Sequence, residues 1–201
     1  MKSGAKSSLV VIGHKSNLSV EFTKLMSSDD SIVRGYFPYP ILNADKYLIC
    51  AGYLCGKPIL EQSGKELKKG WESNFLDIVV FCEKVLAVNH SARICIIGSE
   101  SGYMGSFDML YAGAKAALHL YIEKKQLKPN QQLVGIAPGI IEDAGMTTRR
   151  TDLDNLQKRR QAHPKGRFLL SVEVAKLAHY LLSEEAEYIS NTVVQVHGGR
   201  A

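Results

Sequence analysis

The stretch Arg93-Ile94-Cys95-Ile96-Ile97-Gly98-Ser99-Glu100-Ser101-Gly102 decides the fold. Arg93–Ile97 is an apolar run with no polar alternation, which is how a strand reads when both of its faces are covered. A Gly- and Ser-rich loop over 98–106 cuts the run. It leads into an Ala- and Leu-rich segment, 111–125, that favours helix, and Pro129 closes the unit. Buried strand, loop and helix in that order form the repeating unit of a parallel sheet.

Working outward, the same unit recurs. On the N-terminal side, Phe75, Val79, Cys82 and Leu86 keep helical spacing through 71–88, and Asn89-His90-Ser91 stops that helix before Arg93. The apolar run 47–50 before it ends in the turn Ala51-Gly52. At the start of the chain, 9–12 reads as a buried strand broken by Gly13, then a helix through Val20, Phe22 and Leu25. A short strand follows at 31–33, after which Pro38 and Pro40 exclude a helix.

On the C-terminal side, 132–136 is a strand ended by Pro138-Gly139. The polar stretch 140–166 is too long for a simple connection and reads as a lid or binding loop. Ser171 is placed to cap a helix whose apolar positions are Val174, Leu177, Ala178 and Leu181, and Thr192–Val196 closes the chain's strands before Gly198-Gly199. Strand alternates with helix throughout and no repeat is present. The expectation is an α/β fold: a Rossmann-like, doubly wound parallel sheet in three layers, one domain over residues 1–201.

Composition agrees. Of 201 residues, 45% are hydrophobic and 22% charged, which is ordinary for a globular chain and excludes disorder, collagen and coiled-coil arrays. Lys plus Arg number 25 and Asp plus Glu 20, a formal net charge of +5 without a block of like charges. Such a balance admits an anionic small molecule without calling for nucleic acid. Cys50, Cys55, Cys82 and Cys95 form no Cys-x-x-Cys pair and have no spaced His partners, so they read as reduced, mostly buried thiols with no metal site. No apolar run approaches membrane-spanning length, and residues 1–8 are polar, so the expected location is cytoplasmic.

Tyr111 and Lys115 lie four apart on the expected helix and project from one face. An ammonium near a phenol favours the phenolate and brings Tyr toward proton exchange near neutral pH. That spacing alone also describes a solvated surface pair. Ser99 adds weight: it lies twelve positions before Tyr111, at the C-terminal end of a strand, where ligands bind in open α/β sheets.

With these residues the chain resembles the short-chain dehydrogenase/reductase family, whose site joins a Ser after a central strand to a Tyr-x-x-x-Lys helix. The matching segments are Ile96-Ile97-Gly98-Ser99 and Tyr111-Ala112-Gly113-Ala114-Lys115-Ala116-Ala117. The resemblance continues in Leu48-Ile49-Cys50-Ala51-Gly52, with Cys50 in place of an Asn, in Asn74, and in Pro138-Gly139. It runs on through Pro164-x-Gly166-Arg167-Phe168, Glu173-Val174-Ala175 and Val194-x-Val196-x-Gly198-Gly199. The resemblance implies carbonyl–alcohol interconversion with a nicotinamide dinucleotide. Tyr111 would be the general acid or base. Lys115 would lower its pKa and hold the ribose, Ser99 would bond the substrate oxygen, and Asn74 would anchor a water. Cofactor contacts would fall on Gly13, Lys15, Asn17, Leu18, Arg34, Ala51, Gly52, Tyr111, Lys115, Pro138, Gly139 and Ile141.

Three departures from the family pattern accompany these matches. Asn17 and Ser19 stand where the Gly-rich turn has its later glycines, so the expectation is that Asn17 keeps the turn by tolerating positive φ while the Ser19 side chain opposes close dinucleotide binding. The interval from Gly13 to Gly52 is too short for the family's three crossovers, so one or two strand-helix units are missing or reduced to coil along residues 35–44, which exposes a sheet edge or recruits a partner chain to cover it. Asp143 replaces a Thr after the Pro-Gly turn, and a carboxylate there would repel a pyrophosphate unless Thr147 or Thr148 takes the role through a shifted loop.

No acidic residue lies between Ser31 and Asn43, whereas Lys15 and Arg34 suit a 2′-phosphate, which favours NADP(H) over NAD(H). Arg149, Arg150, Lys158, Arg159 and Arg160 suit an anionic substrate or form the exposed face of a polar helix. The resemblance implies a homodimer or homotetramer packed through 71–88 and 111–125. The alternative function, drawn from the altered turn and shortened interval, is a non-catalytic binding or regulatory subunit of the same fold.

Overall fold

The structure, a computed structural model, describes residues 8–28, 30–37 and 41–200. The apolar runs become strands: β1 (Ser8–Ile12), β2 (Ser31–Gly35), β3 (Lys46–Ile49), β4 (Arg93–Ile97), β5 (Gln132–Pro138) and β6 (Thr192–Val196). They form one wholly parallel sheet in the order β2-β1-β3-β4-β5-β6. The helices are α1 (Asn17–Lys24), α2 (Gly64–Trp71), α3 (Asp77–Val88), α4 (Ser101–Met104), α5 (Met109–Lys124), α6 (Gly145–Thr148), α7 (Leu153–Gln161) and α8 (Ser171–Leu181).

Alternate residues of each strand enter separate cores, as the two-residue strand period requires. On one face Val10, Ile12, Tyr47, Ile49, Ile94 and Ile96 pack under Phe81 and Val85 of α3 and Leu118 and Ile122 of α5. On the other, Leu9, Val11, Leu48, Cys95 and Val134 meet Leu18 and Phe22 of α1 and Val174, Ala178 and Leu181 of α8. The path from β3 through β4 to β5 crosses by α3 and α5 on the first face. The next step, to β6, continues in the same direction but crosses by α8 on the second, so this crossover has the opposite hand to those before it. That placement lets α8 pack beside α1, with the His179 ring 6.2 Å from that of Phe22.

The shortened interval falls between β2 and β3. Ten residues carry the chain from one side of β1 to the other, close to the shortest span a parallel crossover allows, and no helix forms among the described ones. Phe37, Ile41, Leu42 and Ala44 instead pack into the first core over β1 and β3. Side chains fasten this coil: Asn89 donates to the carbonyls of Ala44 (2.7 Å) and Leu42 (3.3 Å). The Ala44 amide donates to the Tyr47 hydroxyl at 3.1 Å, and Asp45 accepts from the Ser8 amide at 2.8 Å. β2 is left as the sheet edge, with Ser31 to Arg34 exposed.

Three elements differ from the sequence reading. The helix expected from residue 71 begins at Gly64, where Ser63 and Glu66 form a reciprocal capping box, and it passes through a wide-turn segment, Glu72–Leu76, into α3. The polar stretch 140–166 holds α6 and α7. Ser171 does not cap α8 but is its first residue. Its amide donates to Asp143 Oδ1 at 2.8 Å, so the cap comes from the preceding loop.

Candidate active site

Asp108 organises the site from below. It is 3% exposed and caps α5 by accepting from the Tyr111 amide at 3.1 Å. The same carboxylate accepts from the amides of Cys55 (3.0 Å) and Gly56 (3.1 Å) and from Gln62 Nε2 (3.0 Å). One side chain thereby joins the start of α5 to the long loop after β3, and four donors compensate its burial. The helix then presents Tyr111, Lys115 and His119 along one face at intervals of four residues.

Ser99 follows the end of β4. Its Oγ accepts from the Ser101 amide at 3.2 Å, which leaves the hydroxyl proton for Tyr111. Burial pushes the Tyr111 phenol above its ordinary pKa, the Ser99 hydroxyl opposes that rise, and the nearby Asp108 carboxylate adds to it. Lys115 is 2% exposed; its Nζ lies 5.9 Å from the Tyr111 ring centre and donates to the Ile97 carbonyl at 3.2 Å. Burial lowers its pKa to about 8, so the ammonium is held near the point of losing its proton. The phenol is raised here, where the Tyr-x-x-x-Lys spacing led to the expectation of a lowered one, because desolvation outweighs the other influences on it.

Asn74 lies in the wide-turn segment, fully buried. Its amide donates to the carbonyls of Tyr53 (2.6 Å) and Gly70 (2.8 Å), and its Oδ1 accepts from the Tyr53 amide at 3.0 Å. The bulged helix frees the Gly70 carbonyl, and the Asn74 side chain takes it while clamping the turn after β3. Gly52 in that turn faces the site: a Cβ there would stand 3.1 Å from Asn74 Oδ1, 3.5 Å from Met146 Cε and 3.7 Å from Lys115 Nζ. Met146, on α6, was not anticipated from the sequence.

The first turn closes differently from the expectation. Gly13 carries the positive φ (+78°), and a Cβ there would strike the Cys50 carbonyl at 2.8 Å. Asn17 is instead the first residue of α1, and no positive φ is found there. Its side-chain amide donates to the Asp143 carbonyl, tying the turn to the loop after β5. Ser19 is fully buried, with its Oγ 3.0 Å from the Gly13 carbonyl and 2.8 Å from that of Ser16. Asp143 directs Oδ1 of its carboxylate to the Ser171 amide at the start of α8.

Ala51, Gly52, Pro138, Gly139, Ser99, Tyr111 and Lys115 therefore gather at the C-terminal ends of β3, β4 and β5, with Asn74 behind them. Leu18 has its side chain in the core, so only its backbone reaches the turn. Ile141 pairs with Leu169 at the base of the lid. Lys15 and Arg34 are exposed at the β1–β2 side, away from Tyr111. Tyr36, just past β2, places its hydroxyl 3.4 Å from His14 Nε2. The Gly13 turn fits a dinucleotide in its positive-φ glycine. Among the described residues no acceptor lies on the amides of Asn17 and Leu18, at the head of α1.

In the lid, Arg150 pairs with Asp152, and Arg160 pairs with Glu142 at 2.7 Å while lying over the Phe168 ring. Arg149, Lys158 and Arg159 have no ion-pair partner among the described residues. A groove of about 460 Å³ runs beside α7, lined by Thr147, Thr148, Leu156, Arg160 and Phe168 among others.

The class defined by this fold is the Rossmann-like parallel α/β sheet. A family model described as enoyl-(acyl carrier protein) reductase matches residues 43–201. Sorbitol-6-phosphate 2-dehydrogenase of Klebsiella pneumoniae is 35% identical over 120 residues, 52% of this chain and 45% of that protein. The 3-oxoacyl-(acyl-carrier-protein) reductase FabG of Aquifex aeolicus is 37% identical over 111 residues, 53% of this chain and 44% of that protein. The chain spans about half the length of the curated relatives it matches. Among solved structures, a glucose/ribitol-type short-chain dehydrogenase/reductase from Brucella melitensis superposes with a TM-score of 0.83 at 19% identity, covering 99% of this chain and 98% of that one. A small-chain dehydrogenase in complex with NADPH gives 0.82 at 18% identity, covering 97% and 98%. The chain belongs to the short-chain dehydrogenase/reductase family.

Proposed function

We propose that the protein is an NADP(H)-linked oxidoreductase that interconverts a carbonyl and an alcohol. The observation carrying this is the convergence of Ser99, Tyr111 and Lys115 at the strand ends, with the Lys115 ammonium 5.9 Å from the Tyr111 ring centre and the Ser99 hydroxyl holding the phenol pKa down against burial. Bound nicotinamide would supply or accept the hydride. The Tyr111 hydroxyl donates its proton to the carbonyl oxygen as negative charge builds there, and takes it back in the reverse direction. Ser99 gives a second hydrogen bond to that oxygen. Lys115 stands beside Tyr111 to hold the ribose, and Asn74 fixes the turn on which Gly52 lies and anchors the proton-relay water.

Gly13, Asn17 and Leu18 would meet the phosphates through their backbone, with Ala51, Gly52, Pro138, Gly139 and Ile141 flanking the nicotinamide half. Lys15 and Arg34 favour NADP(H). The substrate is a small carbonyl compound or alcohol entering beside the lid, where Arg149, Lys158 and Arg159 are free to meet an anionic one. A homodimer or homotetramer would cover the outward apolar side chains Trp71, Leu76, Val80 and Leu120. The test is NADPH-dependent turnover across a carbonyl and alcohol panel. Tyr111→Phe is expected to lower kcat by about 10³-fold while remaining folded. No turnover by the unaltered protein would favour a non-catalytic binding subunit, the second reading, which rests on the Ser16–Ser19 closure of the first turn and the helix-less crossover.

A further inference from the structure

We propose that His119 is a positioning residue for Ser99, an inference that rests on the function proposed above. His119 stands one turn beyond Lys115 on the same face of α5 and is 3% exposed. Its Nε2 accepts from the Ser99 amide at 3.4 Å, whereas the amides on either side, of Gly98 and Glu100, donate to the Ile136 (2.7 Å) and Pro138 (2.9 Å) carbonyls of β5, so His119 supplies the acceptor that the sheet does not offer to Ser99 itself. The imidazole fits because two glycines make room for it. A Cβ on residue 98 would fall 2.4 Å from Nε2, and one on residue 102 would fall 2.6 Å from Cε1 and 2.8 Å from Nδ1. Tyr103 stacks on the ring at 4.7 Å and closes the outer side.

Gly98, Gly102, Tyr103 and His119 thus form one interlocked unit whose polar end is bonded to the residue carrying the reactive hydroxyl. To accept at Nε2 the ring must be neutral and carry its proton on Nδ1, an atom that is buried and has no partner among the described residues. The surroundings enforce neutrality: burial and the Lys115 ammonium lower the pKa of His119 to about 4. An apolar side chain would fill this space without leaving an unpaired buried nitrogen. The cost of His119 is offset by fixing the Ser99 backbone, and through it the direction of the hydroxyl.

The test is a double-mutant cycle on kcat with NADPH and the best carbonyl substrate, using Ser99→Ala and His119→Leu. Acting through Ser99, His119→Leu lowers kcat about tenfold with the NADPH KM little changed, adds almost nothing in the Ser99→Ala background, and is largely rescued by His119→Gln, whose carbonyl oxygen also accepts. Equal losses in both backgrounds, or no rescue, would overturn it. A long-range proton–nitrogen NMR spectrum at pH 7 decides the matter without turnover. It should show His119 neutral and protonated on Nδ1, with a Ser99 amide shift that moves in His119→Leu and returns in His119→Gln. A protonated Nε2, or a Ser99 amide indifferent to both variants, contradicts the proposal. Turnover failing while this spectrum holds would sink the proposed function and leave the His119–Ser99 contact standing.

Discussion

The first 45 residues and the rest of the chain reach the same parallel sheet by different means. From β3 onward, glycines allow close approach: Gly52 opens the site floor, and Gly98 and Gly102 admit the His119 ring. In the first part, Gly13 does this work in the turn, and Gly35 at the end of β2 makes room for Ile12 and Val10 of β1. The remaining closure is made by hydroxyls and an amide, namely Ser16, Ser19 and Asn17, each bonded within the turn or across to residue 143. The β2–β3 crossover continues the contrast, since Asn89, Tyr47 and Asp45 hold a coil where a helix would have buried its own backbone groups. The family model likewise begins at residue 43, beyond β1, α1 and β2. A sheet tolerates this exchange because β1 contributes fully buried residues to both cores whatever connects its ends.

Apart from the loss of turnover expected of Tyr111→Phe, the contrast can be tested by removing the polar fasteners of each part. The largest expected effect on stability lies in the second part: Asp108→Ala leaves several donors unpaired beneath the site and should destabilise the fold by roughly 3 kcal/mol, measured by chemical denaturation. A loss under about 1 kcal/mol would show that the loop after β3 does not depend on it. Next is acid sensitivity. His119 has a folded pKa of about 4 against an ordinary 6.5, so below pH 6.5 the unfolded chain binds the proton first. Stability is therefore lost as pH falls from about 6.5 to 4 and is flat above that window as far as this group is concerned. Removing this contribution with His119→Gln should flatten the fall by up to about 3 kcal/mol; identical profiles would contradict it. The smallest effect is expected at the crossover of the first part, where Asn89→Ala removes the bonds to the Ala44 and Leu42 carbonyls and should cost about 1–2 kcal/mol, because fewer partners are lost than at Asp108. A loss larger than that of Asp108→Ala would reverse the contrast.

Much of the sheet could be read from the sequence because buried parallel strands are continuous apolar runs, and Arg93–Ile97 and Thr192–Val196 keep their boundaries in the structure. The start of α2 was not, since Gly64–Trp71 has no apolar periodicity; its signal was the Ser63-x-x-Glu66 capping pair. The cap of α8 comes from Asp143, 28 residues earlier, a pairing that no local pattern carries. In the site, the family resemblance named Ser99, Tyr111 and Lys115 together, since the four-residue spacing of Tyr111 and Lys115 alone also describes a surface pair. Asp108 had a readable signal as a helix-capping residue three positions before Tyr111. His119 had none, because its place depends on the missing side chains of Gly98 and Gly102, which touch it only after folding.

The most direct test of the account is thermal unfolding with NADPH and with NADH. If the Gly13 turn and the Tyr111–Lys115 face together hold the cofactor, NADPH at a hundred times its Kd adds about 2.7 kcal/mol and should raise the midpoint by roughly 5–10 °C, with a smaller rise for an equal concentration of NADH. No shift with either at millimolar concentration would show that the refastened first part does not bind a dinucleotide, and would contradict the proposed oxidoreductase.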